Sequence, residues 1–522
     1  MNNSGFLHHI KKIPLLLISS YVVLFVLVHG VLYRNIGAFG CFDDCPNIMA
    51  GWFLLKGKVL YSEIFYNHQP LIAFLSEFIQ YVSSPKDIHQ LILFHRLFGF
   101  FFSFCFGLLI VIRFRLKGFL FLLFYETTKY YFFGDRFLAE AYIVYPAVYL
   151  FGSLVTSYLE EKSLSRFDVF FGTVSSWLII FFREPYIPLA LVLYFILLIR
   201  AKGWRVRYVS LALFSILTVI LYLQFPVQDY LFNVITVNQQ FHLRNVFSGA
   251  DFVQIVFYPF VIFFSGPDSP LRFFEMFLSS IFFASVLVGK KHGVSWKFLT
   301  VIVSVLALAN FRFEEPGVPF YEAFHMLSWY ALFLFSLFTL ICFVRQKSRK
   351  FFTWSLGILS VGLAVFLLSP GSYLTEKVDS DGLFAEGYSE YYSTGALVNS
   401  LATPGETLFL DGWNDLIYWQ AQRASQYKYS WYTSIMPGFE RYTKAREDLL
   451  TNTPPDFFYG ACKEWPFSKV TQAFLGQYVN VLYNRKPTCL YIKKSVSTRF
   501  PDAVLSQMRE QGYEVGRISG VK

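Results

Sequence analysis

Repeated apolar runs of about 20 residues limit the folds open to this chain more than any other feature of its sequence. Runs of that length are typical of helices that cross a bilayer. They predict an all-α polytopic membrane domain with about 11 transmembrane helices. The predicted spans are 13–33, 88–112, 118–133, 141–159, 167–183, 187–200, 208–226, 271–289, 298–311, 326–344 and 351–369.

Charged residues are scarce and unevenly placed. Only 15% of the residues are charged, whereas soluble domains have roughly 25%. Residues 371–522 carry 16 basic and 16 acidic side chains, so the net charge of +10 lies entirely in the first 370 residues. Basic clusters in short loops between apolar runs are typical of the cytoplasmic side of a membrane protein. The charge therefore does not indicate a nucleic-acid partner.

The basic clusters also predict the topology. If all of them face the cytoplasm, the tail from residue 371 lies outside, together with the segments 34–87, 129–140, 227–270 and 311–325. This arrangement predicts a multi-pass protein of the inner (plasma) membrane. The first apolar run follows Lys11 and Lys12 and lacks a small-residue cleavage site, so we expect a retained anchor.

Three apolar segments depart from a simple pattern of spans. Segment 118–133 carries Glu126 and Lys129, and segment 187–200 is short. The run 253–266 is interpreted as an interfacial or re-entrant helix broken at Pro259, because one more span would reverse the side of the next basic cluster.

The tail predicts a second, soluble domain. Pro/Gly pairs punctuate it between short β-prone runs such as 406–410 and 478–483. Its length of about 150 residues is enough to bury a core. We therefore predict a membrane domain over 1–370, with a first external loop at 34–87, and an extracytoplasmic α/β or α+β domain over 371–522.

The strongest local signal is the acidic pair Asp43-Asp44 in the first external loop. Two adjacent carboxylates in one pocket repel each other and raise the pKa of one of them, so that one is suited to accept a proton. Alone, an Asp-Asp pair is more typical of a helix N-cap, and Pro46 suits a first turn. The residues around the pair decide between these interpretations.

The spacing around the acidic pair resembles the first external loop of the GT-C superfamily of membrane glycosyltransferases. The pair is followed by Ala50, Gly57, Tyr61 and the Pro70-Leu71 dipeptide. Protein O-mannosyltransferases and aminoarabinose transferases of lipid A belong to that group. Two departures are Asp-Asp where Asp-Glu is commoner, and Gln69 where a first proline is usual.

Weaker likenesses occur elsewhere in the first 370 residues. Asp135 and Glu140 are similar to the family's second external acidic position, which implies a role in orienting an acceptor or a metal. The Arg183-Glu184-Pro185 segment is similar to its basic turn, and the segment ending in His325 is similar to its His-Tyr loop.

The resemblance implies transfer of a sugar from a polyprenyl phosphate to a hydroxyl of a glycan, lipid or protein on the external face. Asp43 would be the base and Asp44 its partner. Cationic and imidazole side chains would neutralise the donor phosphate, and arginine suits bidentate contact with phosphate. The candidates are Arg183, Arg244, Arg312, His68 and His325. Each is also explained as an interfacial anchor or as the partner of a neighbouring acid.

The sequence leaves open whether the protein requires a metal. Asp43, Asp44 and Asp135 are possible oxygen ligands for Mg²⁺ or Mn²⁺, although the adjacent pair is not an Asp-x-Asp. Cys41 and Cys45 favour a loop disulfide over a zinc site, because no matching His/Cys pair is near. Cys462 and Cys489 are also placed for a disulfide.

Two other classes of protein are compatible with a polytopic chain of this kind. A polysaccharide polymerase or O-antigen ligase typically has a large external loop in mid-chain, whereas here the large domain is C-terminal. A transporter or flippase of lipid-linked sugars predicts repeats and broken helices at mid-membrane, whereas the polar residues here gather at one face.

Overall fold

The computed structural model describes residues 15–41, 43–159, 161–241, 259–260, 270–310, 323–345, 347–412, 415–423, 425–460 and 473–516. The chain is mainly helical in these ranges, and a small sheet forms in its C-terminal part.

A helix stands at each of the predicted span positions. These helices are α1 (Leu15–Leu32), α4 (Ile88–Phe114), α5 (Leu116–Thr128), α6 (Ala139–Leu159), α7 (Arg166–Phe182), α8 (Ile187–Arg200), α9 (Trp204–Tyr222), α10 (Pro270–Lys291), α11 (Trp296–Ala309), α12 (Leu327–Arg345) and α13 (Arg349–Leu367). Between α1 and α4, the first loop contains α2 (Asp44–Leu55) and α3 (Leu71–Ser83).

Seven candidate membrane spans occur among the described residues, by length and apolar composition: those at α1, α4, α6, α9, α10, α12 and α13. The other four helices have 13 to 17 residues, and a perpendicular crossing takes about 20. The chain therefore has the character of a multi-pass membrane protein, but the predicted count of 11 spans is not confirmed. The predicted re-entrant segment lies outside the described residues, except for Pro259 and Phe260.

Helices α6 and α12 form the centre of the bundle. In each of them 89% of the apolar window is buried inside the protein, against 11–39% in the other candidate spans. The outer helices therefore keep much of their apolar surface for a bilayer.

The two charged residues that distinguish segment 118–133 from the other predicted spans are buried and paired. Glu126 and Lys129 form an ion pair of 2.6 Å, and neither is exposed. His29 on α1 lies 3.5 Å from Glu126, and Tyr145 on α6 donates to Glu126 at 2.7 Å. Charged groups within a bundle are tolerated when they meet partners away from lipid.

The first loop is folded rather than extended. Helices α2 and α3 pack closely at Gly51, where an added Cβ would lie 2.5 Å from Ser76 Oγ and from the Glu77 amide nitrogen. A connecting turn at Gly57 has φ of +83°, a conformation that glycine adopts without steric cost.

The C-terminal part contains helix α14 (Ser380–Leu401) followed by a mixed five-stranded sheet. The strands are β1 (Leu408–Leu410), β2 (Phe457–Tyr459), β3 (Tyr478–Tyr483), β4 (Lys486–Lys493) and β5 (Tyr513–Val515), in the order β1-β2-β4-β3-β5. β1 and β2 are parallel, and the other pairs are antiparallel. Helices α15 (Leu416–Ala421), α16 (Glu440–Asn452) and α17 (Asp502–Glu510) and shorter turns surround the sheet.

The C-terminal part rests on the first loop. Lys58 donates to the Tyr427 carbonyl at 2.9 Å, and the Phe65 amide donates to the Tyr429 carbonyl at 3.1 Å. Trp419 Nε1 donates to Gln80 on α3 at 3.2 Å. The first loop and the tail therefore lie on the same side of the helical bundle. The predicted boundary at residue 370 stays a prediction.

Candidate functional site

The acidic pair at the start of α2 separates into two environments. The Asp44 side chain is fully buried, and its Oδ2 accepts from Arg96 Nη2 at 3.0 Å. Asp43 is exposed and stands at the N-cap position, but its side chain makes no capping hydrogen bond. The capping interpretation therefore accounts for the position of Asp43 and not for its carboxylate.

Arg96 connects Asp44 to the loop before α2 and to the C-terminal part. Its guanidinium donates to the carbonyls of Ile36 and Ala38 and to Tyr388 Oη on α14, the last at 3.1 Å. Tyr388 in turn donates to the Gly40 carbonyl at 2.8 Å. Because every member is buried, the network holds the segment that leads to Asp43 in one position.

The motif residues after the acidic pair shape the loop around it. Ala50 is buried in α2, and the Tyr61 hydroxyl donates to the His68 carbonyl at 2.9 Å. Tyr66 donates to Asn47 Oδ1 at 2.6 Å, and Asn47 Nδ2 donates to the Asp43 carbonyl at 2.9 Å. These hydrogen bonds connect Tyr66 through Asn47 to the backbone of Asp43, and Tyr61 to the backbone of His68.

Four of the residues predicted for the site meet in one cluster, in which Glu140, Arg183 and His325 are buried and His68 is partly exposed. Arg183 Nε lies 2.7 Å from Glu140 Oε1, and a second Arg183 nitrogen hydrogen-bonds His68 Nδ1. His325 Nδ1 lies 3.4 Å from the same Glu140 oxygen. We call Glu140, Arg183, His68 and His325, together with Glu184, the Arg183 cluster.

Glu184 is the additional acid of this cluster. It lies 3.8 Å from Arg183 Nη1 and 3.6 Å from His68 Nδ1. Burial raises the pKa of Glu184, but the charge of Arg183 and the hydrogen bond to His68 outweigh it and hold that pKa at about 2. Glu184 is therefore ionised at neutral pH, and Arg183 is shared between two carboxylates.

Asp43 lies within electrostatic reach of the Arg183 cluster. Its negative charge acts on the Arg183 guanidinium and on the Tyr66 hydroxyl. Burial raises the pKa of Tyr66 well above its ordinary value, so the hydroxyl is a neutral hydrogen-bond donor. The site thus combines an exposed carboxylate with a buried cation on which its charge acts.

Asp135 does not join Glu140, although the sequence suggested one shared position. Asp135 is buried near Arg136 and Arg96; burial raises its pKa, and the two arginines oppose that rise. The structure therefore places Asp135 on the Asp44 side of the acidic pair and Glu140 on the Asp43 side. Arg244 and Arg312 lie outside the described residues.

The arrangement of the carboxylates does not fit the metal site considered from the sequence. Asp44 is paired with Arg96, and Asp135 lies beside two arginines. The described part of the chain contains no group of three or more His, Cys, Asp or Glu side chains placed to hold an ion. We therefore assign no step to Mg²⁺ or Mn²⁺.

The predicted disulfide Cys41–Cys45 is confirmed, with a Cα–Cα distance of 5.6 Å. It brackets the acidic pair and closes the turn that leads into α2. Cys489 is also disulfide-bonded, and Cys462 lies outside the described residues. Cys105 and Cys342 have free thiols.

Sequence reasoning missed Arg96, Arg136 and Tyr388. Arg96 carried a usable signal, because it stands inside an apolar run of 27 residues, and an ionisable residue in such a run marks a function or a buried partner. Tyr388 carried none, since 292 residues separate it from Arg96.

Comparisons with known proteins identify no relative: no family model, no curated protein and no solved structure matches the chain.

Proposed function

We propose that this protein is an integral membrane glycosyltransferase. It moves a sugar from a polyprenyl-phosphate donor to a hydroxyl acceptor on the extracytoplasmic side of the membrane. The observation that carries the proposal is the exposed carboxylate of Asp43, whose charge acts on the buried Arg183, on a folded loop next to a bundle of apolar helices.

Asp43 is the proposed base. A sugar hydroxyl is a poor nucleophile until its proton has an acceptor, and an exposed carboxylate supplies one. As the acceptor oxygen bonds to the anomeric carbon with inversion, the bond from that carbon to the phosphate oxygen breaks. The lipid phosphate leaves with the electron pair, and Asp43 holds the proton.

The Arg183 cluster is the proposed environment of the departing phosphate. Arg183 already pairs with Glu140 and Glu184. Its guanidinium is therefore held in a fixed position before the donor binds. His68 and His325 extend the cluster as hydrogen-bonding groups. Hydrogen-bond donors fixed where negative charge develops lower the barrier without rearrangement of the protein.

Asp44 is proposed as a positioning residue. Its carboxylate is committed to Arg96, and this ion pair anchors the start of α2 and so the place of Asp43. Removing one partner of a buried pair costs roughly 3–5 kcal/mol, because the other charge is left without compensation.

The proposed sidedness rests on the charge asymmetry and on the disulfide. The basic loops favour a cytoplasmic location for the opposite face, and a disulfide beside Asp43 suits an oxidising compartment. The contacts between the first loop and the tail support the same side of the membrane for both.

The test uses the purified full-length chain, radiolabelled polyprenyl-phosphate sugars and a panel of hydroxyl acceptors. Asp43→Asn should lower the rate of transfer by roughly 10²–10⁴-fold, the usual contribution of a general base, at unchanged unfolding temperature. Asp44→Asn should lower the unfolding temperature as well as the rate. Asp381→Asn, an exposed acid on α14, is the matched control.

If Asp43→Asn transfers sugar at the wild-type rate, Asp43 is not the base. Movement of the labelled lipid across proteoliposomes, without transfer to any acceptor, would favour a flippase instead.

A further inference from the structure

Two neighbouring cavities lie along helices α10 and α13. The first, of about 340 Å³, is lined by aromatic rings that include Phe39 and Phe133, and the second has a volume of about 540 Å³. Pro270, Phe366 and Ser369 line both cavities. The cavities therefore form one elongated path, which we call the α10–α13 groove.

The position of the groove determines which molecules can reach it. Helices α10 and α13 are candidate membrane spans, and only 39% and 22% of their apolar windows are buried inside the protein. Phe273 and Val365 line the groove and are exposed. In a bilayer, the surroundings of this groove are hydrocarbon chains.

An apolar groove alone does not select one lipid, because a chain that leaves the bilayer for the groove exchanges one apolar environment for another. Selection requires a polar contact at the end of the groove.

Arg136 lies directly behind the end formed by Phe39 and Phe133, although it does not itself line either cavity. Its guanidinium carbon lies 4.4 Å from the ring centre of Phe39 and 5.2 Å from that of Phe133. Arg136 is 1% exposed. Its Nη2 donates to the Ala38 carbonyl at 2.9 Å, whereas Nε and Nη1 have no hydrogen-bond partner among the described residues.

A buried guanidinium with two unused donors is costly in isolation. Burial and the positive charge of Arg96 lower the pKa of Arg136 to about 10, although Asp44 and Asp135 act in the other direction. The neighbouring acids therefore offset the charge only in part, and an added anion would stabilise it. Arginine offers phosphate a planar, bidentate set of donors.

The backbone at this end is also held in an unusual conformation. Phe39 has φ of 70° and Phe133 has φ of 57°, in the left-handed region that bulky residues rarely adopt. Such strain tends to occur at ligand clamps. Both strained residues line the first cavity and both stack on Arg136.

We propose that the α10–α13 groove binds a hydrocarbon chain of a phosphate-bearing membrane lipid and that the phosphate reaches Arg136 by displacing the exposed Phe39 ring. The site lies on the Asp44 side of the acidic pair, whereas the Arg183 cluster lies on the Asp43 side. The lipid-binding proposal is tested by measuring binding without any sugar. Its outcome is therefore independent of the proposed transferase activity.

The experiment is native mass spectrometry of the full-length chain released from detergent. The probes are dioleoyl phosphatidic acid, decaprenyl monophosphate and, as a match without phosphate, dioleoylglycerol. We expect one of the two phosphate lipids, or both, to bind as a single copy, and dioleoylglycerol to bind at least roughly tenfold more weakly, since contacts to a charged group carry that much affinity.

Two variants address the two halves of the site. Arg136→Gln should weaken binding of the phosphate lipid by roughly tenfold, and Arg136→Lys should restore part of it. Ser369→Trp, which fills the point shared by both cavities, should weaken it as well. Gly357→Trp, at a position on α13 with open space around its Cβ, is the matched control and should bind like the wild type.

Folding of each variant is checked by its unfolding temperature. Equal binding of dioleoylglycerol and the phosphate lipids would overturn the proposal, as would wild-type binding by folded Arg136→Gln and Ser369→Trp. Binding of inorganic phosphate that competes fully with the lipid, and that Ser369→Trp leaves unchanged, would overturn the assignment of the groove.

Discussion

Adjacent residues in this protein can lie in different environments, and the acidic pair is the clearest case. Successive side chains on a helix point about 100° apart, so neighbours do not share a face. Asp44 accordingly points inward to Arg96, while Asp43 remains exposed within reach of the Arg183 cluster. The like-charge repulsion expected for two carboxylates in one pocket is therefore relieved by geometry.

A single residue, Glu184, also leads to a prediction about how stability depends on pH. The pKa of Glu184 is held near 2 in the folded chain, below its ordinary value of 4.5. Because this folded-state pKa is depressed, the contacts of Glu184 stabilise the fold above pH 4.5, and the stabilisation is lost as the pH falls from there towards 2. Hydrogen bonds to a charged group contribute roughly 1.5–3 kcal/mol.

Unfolding temperatures of the wild type and Glu184→Gln, measured from pH 7 down to pH 2, test this expectation. The wild type should be the more stable at pH 7, and the difference should shrink below pH 4.5. A difference that is constant over the whole range would contradict the ion pairing of Glu184.

At the scale of elements, the first loop behaves as a packed layer. Helices α2 and α3 approach closely because Gly51 has no Cβ. The hydrogen bonds of Tyr61 to the His68 carbonyl and of Tyr66 to Asn47 hold the connecting segment in place. The sequence predicted this loop as external and important but did not predict its two helices, because their apolar runs are short and broken by polar residues.

Gly51→Ala should therefore destabilise the loop. The added Cβ would stand 2.5 Å from the backbone nitrogen of Glu77, and overpacking of this kind typically costs 1–3 kcal/mol. Gly30→Ala is the matched control, since nothing lies within 4 Å of its Cβ and alanine favours a helix. Thermal unfolding should separate the two variants, and equal stability would show that α2 and α3 are further apart.

At the scale of the whole molecule, the tail is an integral part of the site. Tyr388 on α14 hydrogen-bonds Arg96 and the Gly40 carbonyl, and residues near 427–429 bond the first loop directly. The tail therefore helps to hold the segment that carries Asp43 in place.

A labelling experiment tests this shared location. In a Cys105→Ser, Cys342→Ser background, Lys56→Cys in the first loop and Thr498→Cys in the tail should react with an impermeant maleimide from the same side of the membrane. Lys202→Cys, in a basic loop, should react from the other side. All three positions are exposed. Labelling of Lys56→Cys and Thr498→Cys from opposite sides would contradict the contacts between loop and tail.

The sequence by itself determined where the helices lie. An apolar run that satisfies its own backbone hydrogen bonds becomes a helix wherever it is placed, so the predicted span 88–112 became Ile88–Phe114 and 351–369 became Arg349–Leu367. The β-prone runs 406–410 and 478–483 likewise supplied strands β1 and β3. These elements depend on local composition, which can be read along the chain.

Tertiary structure alone decided the partners within the site. Asp44 meets an arginine 52 residues away, and Arg183 meets a histidine 115 residues away. These contacts depend on how the helices pack, which periodicity does not encode. Hence the sequence indicated Glu140, Arg183, His68 and His325 one at a time. Only the folded chain brought them together, separated Asp135 from Glu140 and placed Arg136 behind two aromatic rings that line a groove.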